Sequence, residues 1–305
     1  MSNQLLYLIS VLIWGSTWFA IEFQLGNVSP EVSIVYRYAI AAAVLFAWSA
    51  IRGLSLNFRV RDHRWFMLLG LLLFGLNYVF AYGAQIYISS ALNAIVFSMI
   101  VWMNIINARL FFGIRAGRGV LIGALMGIMG IITLFSPQIG ESSVPHSTWV
   151  GLLLAAGGAL TSSLGNMTSQ AAQRRKLPII QSNAWGMFYG GAFTAALAIG
   201  KGQSFTFEVS FAYIASLLYL AIFGSVVAFG AYLTLLGRIG AHKAGYVMVM
   251  FPVVALLLSG LFEGLIIDLS VIFGTLLVLA GNVFVVRSRV VPGERRELNH
   301  EIAED

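Results

Sequence analysis

Polar side chains are scarce in this chain, and the few inside long apolar runs are the ones that could do chemistry. Asn77, Asn104, Asn107 and Asn166 are four of them. An unpartnered amide is costly in hydrocarbon, so each must bond a neighbouring helix, water or a bound solute. Trp14 and Trp18 stand four apart, and Tyr78 and Tyr82 repeat that spacing, which puts each pair of rings on one helical face. With Trp102, Trp185, Tyr189 and Tyr246 they offer surfaces on which a planar or amphiphilic solute can stack, the alternative being ordinary packing or an interfacial belt. Pro252 lies midway along an apolar run and cannot donate to the carbonyl of Met248, which leaves a bend and a free acceptor, the marks of a hinge or of a static kink.

Arg37 is the one basic residue inside an outward half-span. A charge there must be paired or snorkel. The preferred reading pairs it with Glu22 or Glu31 near the outer surface, and the other gives it a substrate carboxylate. No Asp or Glu falls at mid-span, and His63, His146, His242 and His300 all lie in loops or the tail, which argues against hydrolysis or metal chemistry within a bilayer. There is no cysteine and no GxxxxGK[ST] loop, so thiolate chemistry and a phosphate-driven pump are excluded. Neither a cofactor nor a metal is expected. Amides, hydroxyls and rings remain, and they suit a small neutral or zwitterionic solute with an apolar or aromatic part. The pocket expected for it gathers Trp14, Asn77, Tyr78, Trp102, Asn104, Asn166 and Tyr246, with Pro252 as the hinge.

The elements that carry these residues follow from composition. Of 305 residues, 59% are hydrophobic and 10% charged, against about 45–50% and 25% in a soluble domain. Such a chain packs as repeated membrane spans. Stretches such as Trp65 to Tyr82 and Phe211 to Leu236 are apolar on every side, which rules for helices and against the alternating strands of a barrel. Spans are expected near 5–22, 32–51, 65–83, 91–112, 119–136, 149–170, 179–200, 211–236, 243–262 and 269–286. The first run, Leu5 to Ala20, lacks a basic flank and a clear cleavage site and reads as a retained helix.

With these spans, all 18 basic residues except Arg37 and Lys201 collect in alternate loops and the tail, whereas Glu22, Glu31, Glu141, Glu208, Glu263 and Asp268 lie on the other side. The positive-inside rule then makes both termini cytoplasmic. The net charge of +6 reports orientation and not nucleic-acid binding. Residues 287–305 turn from basic to acidic and read as a solvated, disordered cytoplasmic tail.

Sliding the chain on itself by 150 residues superposes Ala81-Tyr82 on Ala231-Tyr232 and Ala91 and Ala94 on Ala241 and Ala244; one further residue superposes Gly123 and Gly130 on Gly274 and Gly281. Five spans per half is an odd number, so the halves must enter the membrane in opposite senses. The expected fold is all-α and integral to the membrane: ten transmembrane helices as two inverted five-helix repeats, residues 1–136 and 137–286. Gly123, Gly127 and Gly130 thin one face of the fifth helix for close packing inside the bundle.

Trp14-Gly15-Ser16-Thr17 with Pro30 and Arg37, and Ala241 to Pro252 with Glu263, Gly274 and Gly281, resemble the EamA-like group of the drug/metabolite transporter superfamily over residues 5–286. Trp102 stands where that family often has a proline, and Gly113 where it has an acidic residue. The resemblance implies a secondary transporter of small metabolites, often amino acids and often outward, in a bacterial cytoplasmic membrane. It implies a cavity between helices one, three and four and helices six, eight and nine. A passive channel or facilitator, or an importer of sugars or other small solutes, is the alternative. The expected partners are a small-molecule substrate and membrane lipids, with monomer and homodimer both open.

Overall fold

The computed structural model describes residues 1–113, 115–116, 118–140, 146–287 and 290–291. The expected tail, 287–305, lies almost wholly outside the described residues. Helices dominate: α1 Asn3–Glu22, α2 Pro30–Ile51, α3 Val60–Gln85, α4 Ser90–Phe112, α5 Arg118–Gly140, α6 His146–Arg174 and α7 Ile179–Gly200. α8 runs through Phe211–Tyr219, Leu220–Val227 and Ala228–Ala244, and is followed by α9 Tyr246–Phe262 and α10 Leu269–Arg287. The strands among the described residues are a two-residue antiparallel pair, β1 Arg115–Ala116 with β2 Val290–Val291.

Seven of the described helices are long and apolar enough to cross a bilayer, and Gly119–Leu134 and Tyr246–Phe262 are shorter apolar helices. The protein is a multi-pass membrane protein. Its large apolar side chains point outward as freely as inward: Leu121, Leu125 and Met129 on α5 and Phe273 and Leu276 on α10 are exposed. Water would not tolerate such a surface, whereas lipid favours it.

Helix starts are written locally. Ser2, Ser89 and Ser210 accept from the backbone N–H of Leu5, Leu92 and Tyr213, and Pro30 opens α2, where a missing N–H costs nothing. α4 ends at Gly113, whose φ of +67° suits a residue without Cβ.

Two features involve places that correspond by the sequence offset. α3 and α8 each contain a π-helical stretch, Gly70–Leu76 and Leu220–Val227, which begin 150 residues apart. α5 and α10 also meet through their glycines. A Cβ on Gly130 would lie 2.7 Å from the carbonyl oxygen of Gly274, and one on Gly281 2.6 Å from that of Gly123. This is the close intrachain approach that the glycine spacing in helix five predicts. α2 packs along α7, α1 along α9 and α8, and α6 along α3 and α4.

Candidate functional site

A narrow cavity of about 50 Å³ lies where α1, α3, α4, α6, α8 and α9 converge. α1 supplies Trp14, Thr17, Trp18 and Ile21, one face of a helix read at every third and fourth residue. Each ring is held from behind. Trp14 packs on Phe229 and Tyr232 of α8 at centroid distances of 5.0 and 4.8 Å, and its Nε1–H donates to the carbonyl of Gly224 at 3.3 Å. Trp18 meets Phe97 of α4 edge-on at 5.1 Å and stacks on Phe251 of α9 at 6.0 Å. Phe97, Phe229, Met248 and Phe251 complete the apolar lining.

The polar lining comes from Asn77 and Tyr78 of α3 and Ser162 and Asn166 of α6. Asn77 donates to the carbonyl of Leu73 at 3.1 Å, while its Oδ1 is buried without a protein partner. An acceptor left open in so apolar a wall is a place for a solute N–H or O–H. Asn166 donates to Oδ1 of Asn104 at 3.4 Å, and one turn further along α4 Asn107 donates to Ser163 at 2.9 Å. These amides therefore tie α4 to α6 while Asn166 also faces the cavity.

Tyr78 connects the cavity to a charge. Arg37 is buried completely and donates from Nε to Ser225 at 2.9 Å, from Nη1 to Tyr82 at 3.3 Å and from Nη2 to Tyr78 at 3.3 Å. Its guanidinium carbon lies 4.4 Å from the Tyr78 ring centre. The expected pairing with Glu22 or Glu31 is not what the structure holds. Glu31 takes Lys201 at 2.7 Å, and Glu22 accepts from Gln85 at 2.7 Å. The physical reason is direction: Arg37 points across the bundle toward α3 and α8, whereas both acids sit at helix ends.

Just past the end of α9, Glu263 accepts from Ser90 of α4 and, at 2.7 Å, from Ser259 one turn back. It fastens α4 to α9 beyond Trp18 and Phe97. Among the described residues no group of three His, Asp or Glu side chains is placed to hold a metal ion.

The EamA-like transporter family matches this chain over residues 1–136 and again over 149–287. The chain belongs to the EamA-like transporter family. Its EamA-like relatives include the uncharacterized transporter YoaV of Bacillus subtilis, 26% identical across 92% of this chain and 96% of that one. The uncharacterized inner membrane transporter YedA of Escherichia coli is 27% identical across 81% of this chain and 78% of its own. A solved crystal structure covers 93% of this chain and 96% of its own, with a TM-score of 0.69 at 20% identity, a likeness of fold.

Of the residues that sequence points to in this EamA-like chain, Trp14, Asn77, Tyr78 and Asn166 share the cavity wall. Asn104 stands one bond behind Asn166. Trp102, half buried, has its Nε1 turned toward Gly127 of α5 with no partner, and Tyr246 lends its backbone carbonyl to the Tyr7 hydroxyl at 3.3 Å; neither lines the cavity. Trp185 and Tyr189 stack on each other, and Tyr189 shares a hydrogen bond of 2.8 Å with His63; none of the three lines the cavity. Pro252 is buried in α9, one turn past the cavity residue Met248. Sequence reading passes over Phe97, Ser162, Phe229 and Phe251, and singles out Met248 only for its backbone carbonyl. Nothing local marks the three rings among many apolar neighbours, and Ser162 is one of several hydroxyls on α6, although the i, i+4 step from Trp14 to Trp18 does extend to Thr17 and Ile21.

Proposed function

We propose that this protein carries a small metabolite with an apolar or aromatic part, amino acids included, outward across the bacterial cytoplasmic membrane by alternating access. Ten crossings in two inverted halves, residues 1–136 and 137–286, leave both termini and the tail 287–305 in the cytoplasm in this reading. The observation that carries it is the composition of the cavity wall. α1, α3 and α4 of the first half face α6, α8 and α9 of the second across one shared cavity, so rocking one half against the other moves the opening from one side to the other.

The internal symmetry supports this reading. Gly123 and Gly130 correspond to Gly274 and Gly281 by the sequence offset, and in space Gly123 meets Gly281 while Gly130 meets Gly274. A contact that maps onto itself when the halves are exchanged is what a two-fold relation between them produces. The paired π-helical stretches point the same way. Mixed amide, hydroxyl and aromatic lining suits a solute with both polar and apolar parts, and the bacterial relative named as an inner membrane transporter supports the location.

Counterflow tests the proposal. Proteoliposomes loaded with unlabelled solute should accumulate labelled solute transiently, and uptake should saturate, when amino acids, sugars, nucleosides and polyamines are compared. Uptake without saturation or counterflow would make the protein a channel; selection of polyamines or quaternary cations would overturn the lining argument.

A further inference from the structure

Glu31 and Arg37 are the two buried charged residues among the described ones. Glu31 has its counter-charge in Lys201, whereas among the described residues no carboxylate lies within 4 Å of the Arg37 guanidinium. Its three hydrogen-bond partners are neutral hydroxyls, which account for three of five N–H donors. Breaking such a charge away from any anion is among the costliest arrangements a membrane interior offers, and intramembrane charges held this way mark ligand sites.

The placement of Arg37 gives that charge an outlet. Tyr78 lies between the guanidinium and the cavity, accepting from Nη2 on one side and lining the cavity on the other. A phenol oxygen that accepts from a cation becomes a stronger donor through its own hydrogen. Gly224 makes the room: a Cβ there would come within 3.2 Å of Nη2 and 2.8 Å of the Thr17 methyl, so the absent side chain lets the guanidinium approach the cavity wall.

We propose that the transported solute carries a carboxylate, which accepts a hydrogen bond from Tyr78 while Arg37 behind it supplies the counter-charge. This rests on the transport reading above and adds the specificity determinant. Tyr78 touches the solute; Arg37 acts through Tyr78 and sets the sign of charge that the cavity admits.

Pairs of solutes of one shape, differing as carboxylate and carboxamide, test it in proteoliposome counterflow: phenylalanine with phenylalaninamide, and phenylpropionate with phenylpropionamide. The protein should prefer the carboxylate at least tenfold in one pair. Arg37→Gln and Tyr78→Phe should each reduce that preference below threefold, and Arg37→Lys should keep part of it. Gel filtration in detergent establishes that each variant is folded, and Tyr78→Phe, which keeps the ring, decides the matter where Arg37→Gln is not. A preference unchanged within twofold in folded variants, or a wild-type preference for the amides, overturns the inference. Movement of other solutes but of neither pair also overturns it and leaves transport standing, whereas no movement of any solute removes the transport reading itself.

Discussion

Adding one methyl group to Gly130 should weaken the protein, and adding it one turn earlier at Gly127 should not. At Gly130 the new Cβ would lie 2.7 Å from the Gly274 carbonyl oxygen, 2.7 Å from Cγ2 of Val278 and 2.8 Å from the Val278 nitrogen. Ordinary contact begins at 3.4 Å, so α5 and α10 must part by about 0.7 Å, and two of the three obstacles are backbone that cannot rotate away. Overpacking of this kind costs about 1–3 kcal/mol, while Gly→Ala in a helix returns up to about 1 kcal/mol. The net loss for Gly130→Ala is therefore about 1–2 kcal/mol, a roughly 5- to 30-fold larger unfolded fraction. At Gly127 the nearest atom is Trp102 Nε1 at 3.7 Å, an ordinary contact, so Gly127→Ala should be neutral or mildly stabilising. Denaturation of the purified protein in mixed micelles, followed by tryptophan fluorescence, measures both. Gly274→Ala should match Gly130→Ala, because the two glycines face one another. Equal stability of the Gly127 and Gly130 variants would refute the close α5–α10 approach and, with it, the symmetry argument drawn from these glycines.

Pro252→Ala restores the N–H that can close on the Met248 carbonyl, and it should slow counterflow severalfold while leaving folded yield intact; unchanged rates reduce the proline to packing. Asn166→Leu removes a cavity amide and strips Asn104 of the donor to its Oδ1, so transport of every solute should fall, with a stability loss of about 1–2 kcal/mol; normal rates would take Asn166 out of the site. Phe251→Ala should shift preference toward bulkier solutes in competition assays, because Phe251 lines the cavity and backs Trp18; an unchanged order of preference counts against this cavity. Reporter fusions after Arg59 or Arg175 should read cytoplasmic and one near Gly202 external, and reversal at any of them breaks the ten-span reading.

The helices were legible in the sequence because hydrocarbon imposes a condition that each segment meets alone, a backbone bonded within itself and about 20 apolar residues, and among the described residues seven of them are long and apolar enough to cross. The expected 179–200 coincides with Ile179–Gly200, and 65–83 falls short of Val60–Gln85 because Arg61, Asp62 and Arg64 occupy a first turn that composition assigns to the loop. Trp14 and Tyr78 were legible as one-sided rings on their helices, and Asn77 and Asn166 as polar exceptions within apolar runs. Tertiary structure alone decided which exceptions meet. Trp14 is positioned by a carbonyl 210 residues away, and Arg37 by a hydroxyl 188 residues away, in a helix the sequence pairs with it in no local pattern. Trp102 and Asn104 show the limit most clearly: two residues apart on α4, they point about 200° apart around a helix, so one bonds Asn166 behind the cavity and the other packs toward α5. Periodicity tells that two neighbours diverge; only the packing of the other helices tells which of them the cavity receives.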